Sequence, residues 1–380
     1  MKLPTLLPLL LASRLAAQDC TVTMAAPEVR SLAAALDKAA AVGPVWSDYT
    51  IANHPVVFVS QTPDTTASVC ASVWRFRKPP VVVAMSRRVR FSTPLYGMWN
   101  GDSVRRDPSQ GNAGIASSLR PIPPELEQVL RGMGEIRVVF LPVPLRFETL
   151  GALGRSLQAM KIDPTLMMSQ LAVHESYHLH SQIPTWLGQP GRYDWPAWDV
   201  QPDRKALVEQ CYAGTPAVTD LRRREMEALL AAWDTLMAER SAASDARAIA
   251  SAKTFISTRR ERYALLAAVT IPSPAGPVSC ERAEDVMELE EGAPQWMAYV
   301  TAVRAGLMQA TQVGRASNES FYVTGTFQLW ILERLLGNSA MRALTKKITR
   351  AARPDGPEGA IFQRFSAIVD DEHAATKGEP

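Results

Sequence analysis

Leu171-Ala172-Val173-His174-Glu175-Ser176-Tyr177-His178-Leu179-His180 is the stretch whose reading decides the rest of the chain. It contains the pattern H-E-x-x-H. On an α-helix His174 and His178, four residues apart, project from one face and can close on a single metal ion. Glu175 is turned about a third of the way round, so it reaches a water on that metal rather than the metal itself. Zinc suits two neutral imidazoles plus a carboxylate, with a fourth position open to water. Bound there, zinc would bring the water's pKa to about 7, and the glutamate would take its proton during attack on a carbonyl.

The surrounding residues favour a buried helix. Asp163-Pro164 supplies an N-cap and a first-turn proline, and Leu166-Met167-Met168 with Leu171-Ala172-Val173 is apolar almost all round. The chain has five histidines, three of them within seven residues here. A buried helix should not carry two histidines and a glutamate without partners, and a metal supplies them. The rival reading is an amphipathic helix with two surface histidines.

Outward from this helix, composition bounds the possibilities. The 380 residues are 47% hydrophobic and 21% charged, which suits a globular protein with ample core, in one large domain or two. Residues 1–17 read as a secretory signal: Lys2, the apolar run Leu6–Ala12, then Leu15-Ala16-Ala17. That run is too short to span a bilayer. Loss of Lys2 and Arg14 with the signal would bring the formal charge from +3 to +1, which implies neither a nucleic-acid nor an acidic membrane partner. Export makes Cys20, Cys70, Cys211 and Cys280 plausible disulfide partners. No C-x-x-C pair is present, so a cysteine metal site is not expected. Cys211 and Cys280 bracket one helical stretch, which favours Cys211–Cys280 and leaves Cys20–Cys70.

Taken in order, the chain changes from helix to β character and back to helix. Val29, Leu32, Ala35, Leu36 and Ala39 mark one face of a helix over residues 27–42, closed by Gly43-Pro44. Short β-branched runs follow at Val56–Val59, Ala67–Phe76 and Val81–Val83. Residues 86–120 lack a period and read as loop; Arg87-Arg88-Val89-Arg90 within them reads as a solvated strand face rather than a binding patch. Glu135–Leu141 is the clearest strand. It is either an edge strand that could pair with an extended substrate or a central strand of the sheet. A helix is expected near Phe147–Met160, then the histidine helix, then a loop over Ile183–Asp203 carrying Trp186, Tyr193, Trp195 and Trp198. Asp220–Ala268 is helical, broken into a hairpin near Ser241–Asp245; Pro272–Pro277 is loop. Helices begin again near Glu281 and run from Phe321 to Leu336, ending at Gly337-Asn338. The fold class is therefore α+β. A signal (1–17) precedes a small β-rich part (18–145), a mainly helical metal-binding part (146–350) and a weakly patterned tail (351–380).

Two histidines need a third protein ligand. The metzincin pattern is absent, because Ser181 and Pro184 stand where Gly and His would be. His180 falls on the wrong helical face. A carboxylate from a later helix remains, and Glu288-Leu289-Glu290-Glu291-Gly292-Ala293-Pro294-Gln295-Trp296 offers one. This stretch resembles the E-G-x-A-x-aromatic helix by which gluzincin peptidases supply their third ligand. The resemblance implies Glu291 as ligand and Glu288, one turn earlier, as a residue orienting a histidine. Two departures accompany it. The gap from His178 to Glu291 is long, which makes the Asp220–Ala268 hairpin an insertion, and Pro294 should kink the helix. Glu209 is a competing ligand. The rival reading of Glu291 is one acid in a solvated run with Glu284, Asp285, Glu288 and Glu290.

Phe321-Tyr322-Val323-Thr324-Gly325 looks like the Y-x-x-G helix of alanyl-aminopeptidase-like gluzincins, whose tyrosine donates a hydrogen bond to the oxyanion; Tyr322 matches it. A core tyrosine is the alternative. The exopeptidase motif of that family is not visible. The resemblance implies an exported zinc peptidase acting on a peptide or protein substrate: His174, His178 and Glu291 on zinc, Glu175 as general base, and Tyr322 as oxyanion donor. The rivals are a zinc hydrolase of another amide or ester, and a non-catalytic binding protein that keeps zinc for structure. The intact Glu175 argues against the last.

Overall fold

The β-branched runs of the N-terminal third assemble into one sheet whose two faces are both covered. A computed structural model describes residues 20–60, 69–85, 97–100, 122–135, 137–143, 161–182, 208–211, 216–238, 241–272, 277–313, 321–350 and 360–376, with isolated positions 155, 158 and 159. The strands β1 (Val56–Ser60), β2 (Val69–Arg75), β3 (Lys78–Met85), β4 (Gly97–Asn100) and β5 (Arg137–Val143) pair in the order β3-β2-β1-β5-β4. β1 and β5 run parallel, with Val57 opposite Phe140. The other pairings are antiparallel.

Side chains alternate between the faces with the two-residue period of a strand. Val56, Phe58, Val139 and Leu141 join the main core, together with helix α1 (Pro27–Ala41). Val57, Val59, Val138 and Phe140 pack on the other side with Leu126 and Leu130 of α2 (Pro124–Gly132). Burial of both faces is why these strands read as unbroken apolar runs. α1 buries the expected stripe, Val29, Leu32, Ala35, Leu36 and Ala39. Lys78, Pro79 and Pro80 are exposed on the edge strand β3, where a proline interrupts no ladder.

The structure decides the open question about the strand before the histidine helix. β5 lies between β1 and β4, so both of its edges are already paired. It cannot add a substrate strand. The edge beside it is β4, which lies inside a stretch whose sequence reads as loop; four residues are too few to show a period. The Gly97–Asn100 backbone instead follows Phe140–Arg137 antiparallel.

The remainder is mostly helical, completing an α+β fold. α3 (Pro164–Tyr177) carries the histidines, and α4 (Pro216–Ala238) and α5 (Ala242–Leu265) form the expected hairpin. Ser241 caps α5, and its side chain and that of Ser244 satisfy each other's backbone N–H. A two-strand ribbon, β6 (Thr270–Ile271) and β7 (Val278–Ser279), leads into α6 (Cys280–Met287), α7 (Ala293–Arg304), α8 (Phe321–Arg350) and α9 (Ile361–Thr376). α8 is two helices meeting at Gly337, whose φ of 75° is a conformation that favours glycine. The first stops where the sequence says, but a second follows at once. The weakly patterned tail also holds a helix, α9, which buries Ile361, Phe362, Phe365 and Val369.

Cys20–Cys70 and Cys211–Cys280 are both disulfides, the pairing favoured from the sequence. The first ties the start of the described chain to β2, the second ties the approach to α4 to the first residue of α6. No described helix is long and apolar enough to cross a membrane. The signal (1–17), Arg87–Arg90, the tryptophan loop and most of the Phe147–Met160 helix lie outside the described residues.

Candidate metal centre

The histidine helix begins as its sequence requires. Thr165 N–H donates to the Asp163 carboxylate at 2.9 Å, and Pro164 stands in the first turn. Its last turns are buried: His174, Glu175, Ser176 and Tyr177 all lie within the protein. The buried Tyr49 hydroxyl bonds Val173 O at 2.7 Å and sits 2.6 Å from Ser176 Oγ, fixing this end of the helix from the α1 side. Burial raises the Tyr49 phenol well above its ordinary pKa, against a smaller opposing effect of Ser176, so it stays a hydroxyl. Trp46 packs edge-on against both Tyr177 of α3 and Trp296 of α7, with ring centroids 6.0 Å apart in each case. That shared tryptophan locks α3 and α7 together.

At the far end of this contact Glu291 meets the histidines. Its Oε2 lies 3.3 Å from His174 Nε2 and 3.9 Å from His178 Nε2. Donor atoms of His174, Glu175 and His178 all fall within 4.8 Å of one another, a grouping that could hold a metal ion. Metal–ligand bonds of about 2.0–2.2 Å space the donors of a tetrahedral ion roughly 3.3–3.6 Å apart. The His174–Glu291 separation matches that spacing, and His178 is a few tenths of an ångström outside it. His174 and Glu291 thus stand at the spacing that two donors of a tetrahedral ion require, and His178 stands close to it.

Local structure explains how Glu291 arrives there. Between α6 and α7 the backbone makes one π turn, Glu288–Gly292, in which Ala293 N–H bonds Glu288 O. The extra residue puts Pro294 into the first turn of α7, where a missing N–H is tolerated. A π turn is thus the adjustment to the proline expected to disturb this helix. A second π turn, His178–Gln182, follows the histidine helix.

Two glycines let α8 press on the Glu288–Gly292 turn. A Cβ on Gly292 would come 2.7 Å from Gly325 Cα, and one on Gly325 would come 2.8 Å from Glu288 O. Neither contact is tolerable, so only glycine allows this approach. Thr326 Oγ1 reaches Gly292 O at 3.2 Å across the same contact. One turn before Gly325, half-buried Tyr322 stacks on His174, with centroids 6.3 Å apart and planes inclined by 28°. The structure thereby brings together every residue assigned to the site: His174, Glu175, His178, Glu291 and Tyr322.

One expectation is corrected, that for Glu288. Glu288 does not approach a histidine; its Oε1 accepts from Arg259 at 2.7 Å and its Oε2 from Gln328 at 2.8 Å. In an α-helix residues three apart lie about 60° apart around the axis. A π turn, with about 4.4 residues, opens the same step to about 115°. Glu288 and Glu291 consequently face different neighbours. Glu209 is exposed, as a surface acid rather than a ligand. His180, in the second π turn, faces Asp48 at 3.6 Å and the His54 ring, not the metal centre. Burial, with His180 and Arg137 adding to it, holds His54 down at about 3.

The acids suspected of being a solvated run are all buried: Glu284, Asp285, Glu288, Glu290 and Glu291. Behind the centre three of the chain's glutamates meet arginines of the hairpin. Glu225 accepts from Arg259 Nε at 2.6 Å, Arg262 Nε at 2.7 Å and Arg222 Nη1 at 2.8 Å. Glu284 accepts from Arg262 at 2.8 Å and Arg222 at 3.1 Å. Burial alone would raise the Glu225 carboxyl, but Arg259, Arg222 and Arg262 overcome it and hold it at about 2. Asp285 goes the other way: burial, with Glu288 beside it, pushes its carboxyl well above its ordinary value. The sequence reading missed this cluster. Its available signals were Arg222/Glu225, Arg259/Arg262 and Glu284/Glu288, charged pairs at helical spacing.

No family model, curated protein or solved structure matches the chain.

Proposed function

We propose that this chain is a zinc-dependent hydrolase, a peptidase of the gluzincin type, acting outside the cytoplasm. One observation carries the reading: a buried glutamate from a distant π turn meets both histidines of the H-E-x-x-H helix, within 3.3 Å and 3.9 Å. Two imidazoles and one carboxylate, with Glu175 beside them, are the donor set and base of a hydrolytic zinc site. A structural site would not require Glu175. The two disulfides suit an oxidising compartment.

In this proposal His174, His178 and Glu291 would hold the ion. When bound, zinc acidifies a water and polarises the substrate carbonyl. Glu175 accepts the proton of that water and returns it to the departing amine. The Tyr322 hydroxyl donates a hydrogen bond to the carbonyl oxygen as negative charge develops there.

The test is metal analysis coupled to hydrolysis. Purified protein should carry zinc in one-to-one ratio and cleave members of a peptide mixture. Glu291→Ala should lose the metal, whereas Glu209→Ala should keep it. Protein that takes up no metal ends the proposal. Metal with cleavage of esters but no peptide would move the substrate class.

A further inference from the structure

A metal ligand must be held to within about 0.5 Å, and the backbone that carries Glu291 is an uncommon one. What holds the Glu288–Gly292 turn comes from two directions. α8 supplies the Gly325 contact, the Thr326 bond and the Gln328 bond to Glu288. On the opposite side Arg259 of the hairpin supports the turn. Its Nη1 donates to Glu288 at 2.7 Å while its Nε donates to Glu225 at 2.6 Å. The guanidinium carbon also lies 4.6 Å from the Phe255 ring centroid and 5.0 Å from that of Phe362. A planar fork bonded through two of its nitrogens and stacked near aromatic rings holds one orientation better than an ammonium would.

We propose that Arg259 is a positioning residue for the metal ligand Glu291. Pinned by Glu225, its guanidinium holds Glu288, and through Glu288 the π turn, in the register that delivers the Glu291 carboxylate to His174 and His178. The hairpin α4–α5 is then the support of the metal centre rather than a passive insertion. The inference rests on the metal-centre reading above.

Three proteins separate positioning from mere stability: wild type, Arg259→Lys and Arg222→Gln. Lysine keeps the charge but cannot bridge Glu225 and Glu288 with a fixed fork. Arg222→Gln removes contacts to Glu225 and Glu284 in the same buried cluster and leaves the Arg259–Glu288 bond its own donor and acceptor. Zinc affinity would be measured by competition with a chromophoric chelator, and the visible spectrum recorded for the cobalt-loaded protein. Arg259→Lys should bind about 10–100-fold more weakly, as outer supports of metal sites do, with a changed cobalt spectrum. Arg222→Gln should lower the melting temperature and leave affinity and spectrum as in wild type. Unchanged affinity in Arg259→Lys overturns the inference, and so does an equal loss in Arg222→Gln. If Arg259→Lys yields no folded protein, Glu288→Gln decides in the same way, with weaker zinc binding supporting the role and wild-type binding overturning it. A wild type that binds neither zinc nor cobalt fails the metal-centre reading itself. A wild type that binds, with Glu291→Ala that does not, isolates any failure to Arg259.

Discussion

Two clusters of buried ionisable side chains share the turn Glu288–Gly292, and they compensate their acids differently. On the hairpin side Glu225, Glu284 and Glu288 are met by Arg222, Arg259 and Arg262, cations that never lose their charge. On the other side Glu291 is met by His174 and His178, whose charge is optional and whose neutral nitrogens are metal donors. Removing either from water is costly. The hairpin cluster offsets that cost within the chain, with forks of hydrogen bonds. The histidine cluster uses side chains suited to an added cation. A buried acid is therefore not by itself a sign of chemistry; the side chains around it decide.

Substitutions should sharpen this contrast, because each cluster is expected to fail in its own way. The largest effect belongs to Glu175→Gln. The amide keeps the shape but cannot accept the water's proton, so turnover should fall by about 10²–10⁴. Metal content and melting temperature should stay at wild-type values. Retained turnover would place the base elsewhere.

Next comes Glu225→Ala in the arginine cluster. Three buried guanidinium groups lose a shared partner, which should cost about 3–5 kcal/mol of stability. Denaturant titration of the metal-free protein measures it. A stable variant would show that the cluster adds little to folding.

Tyr322→Phe follows, with turnover lowered by roughly 10²–10³ as for loss of one oxyanion donor. The Michaelis constant should hardly move, since the bond forms only in the transition state. A lower melting temperature with turnover intact would instead make Tyr322 a packing residue against His174.

Gly325→Ala tests the seam between the clusters. The added methyl would sit 2.8 Å from Glu288 O, so α8 or the π turn must shift. A loss of about 1–3 kcal/mol is expected, as for other overpacked sites, together with weaker metal binding. Loss of stability alone would mean that the two clusters are uncoupled.

A further contrast is a pH dependence of the hairpin cluster. Glu225 has a folded pKa of about 2, below its ordinary 4.5. An acid depressed in this way contributes stability in full above the ordinary value, and that contribution is lost as pH falls through the folded one. Stability should thus decline between about pH 5 and about pH 2, and Glu225→Gln should flatten the decline. A wild-type profile unchanged by the substitution would show that other carboxylates dominate acid unfolding.

Much of this was legible from local pattern. The α1 stripe, the histidine helix with its Asp163 cap, the break at Ser241 and the stop at Gly337 all rest on residues within a few positions of one another. β4 and α9 were not legible. A four-residue strand has no measurable period, and α9 follows a stretch without clear pattern. The acids of Glu284–Glu291 looked solvated because charge within one helix says nothing of what faces it. The partners of Glu284 and Glu288 are Arg222, Arg259 and Arg262, on two other helices.

The sequence by itself pointed to the α+β class and favoured the cysteine pairing that is found, and short motifs singled out His174, Glu175, His178, Glu291 and Tyr322 as candidates. Only the tertiary structure decided that β5 is central, that Glu288 turns to Arg259 instead of a histidine, and that Glu291 meets both imidazoles. The physical reason is common to all three. Periodicity fixes directions within one element, but which elements touch depends on close packing between distant segments. Here that packing turns on two glycines, Gly292 and Gly325, and on a π turn that swings Glu288 and Glu291 apart.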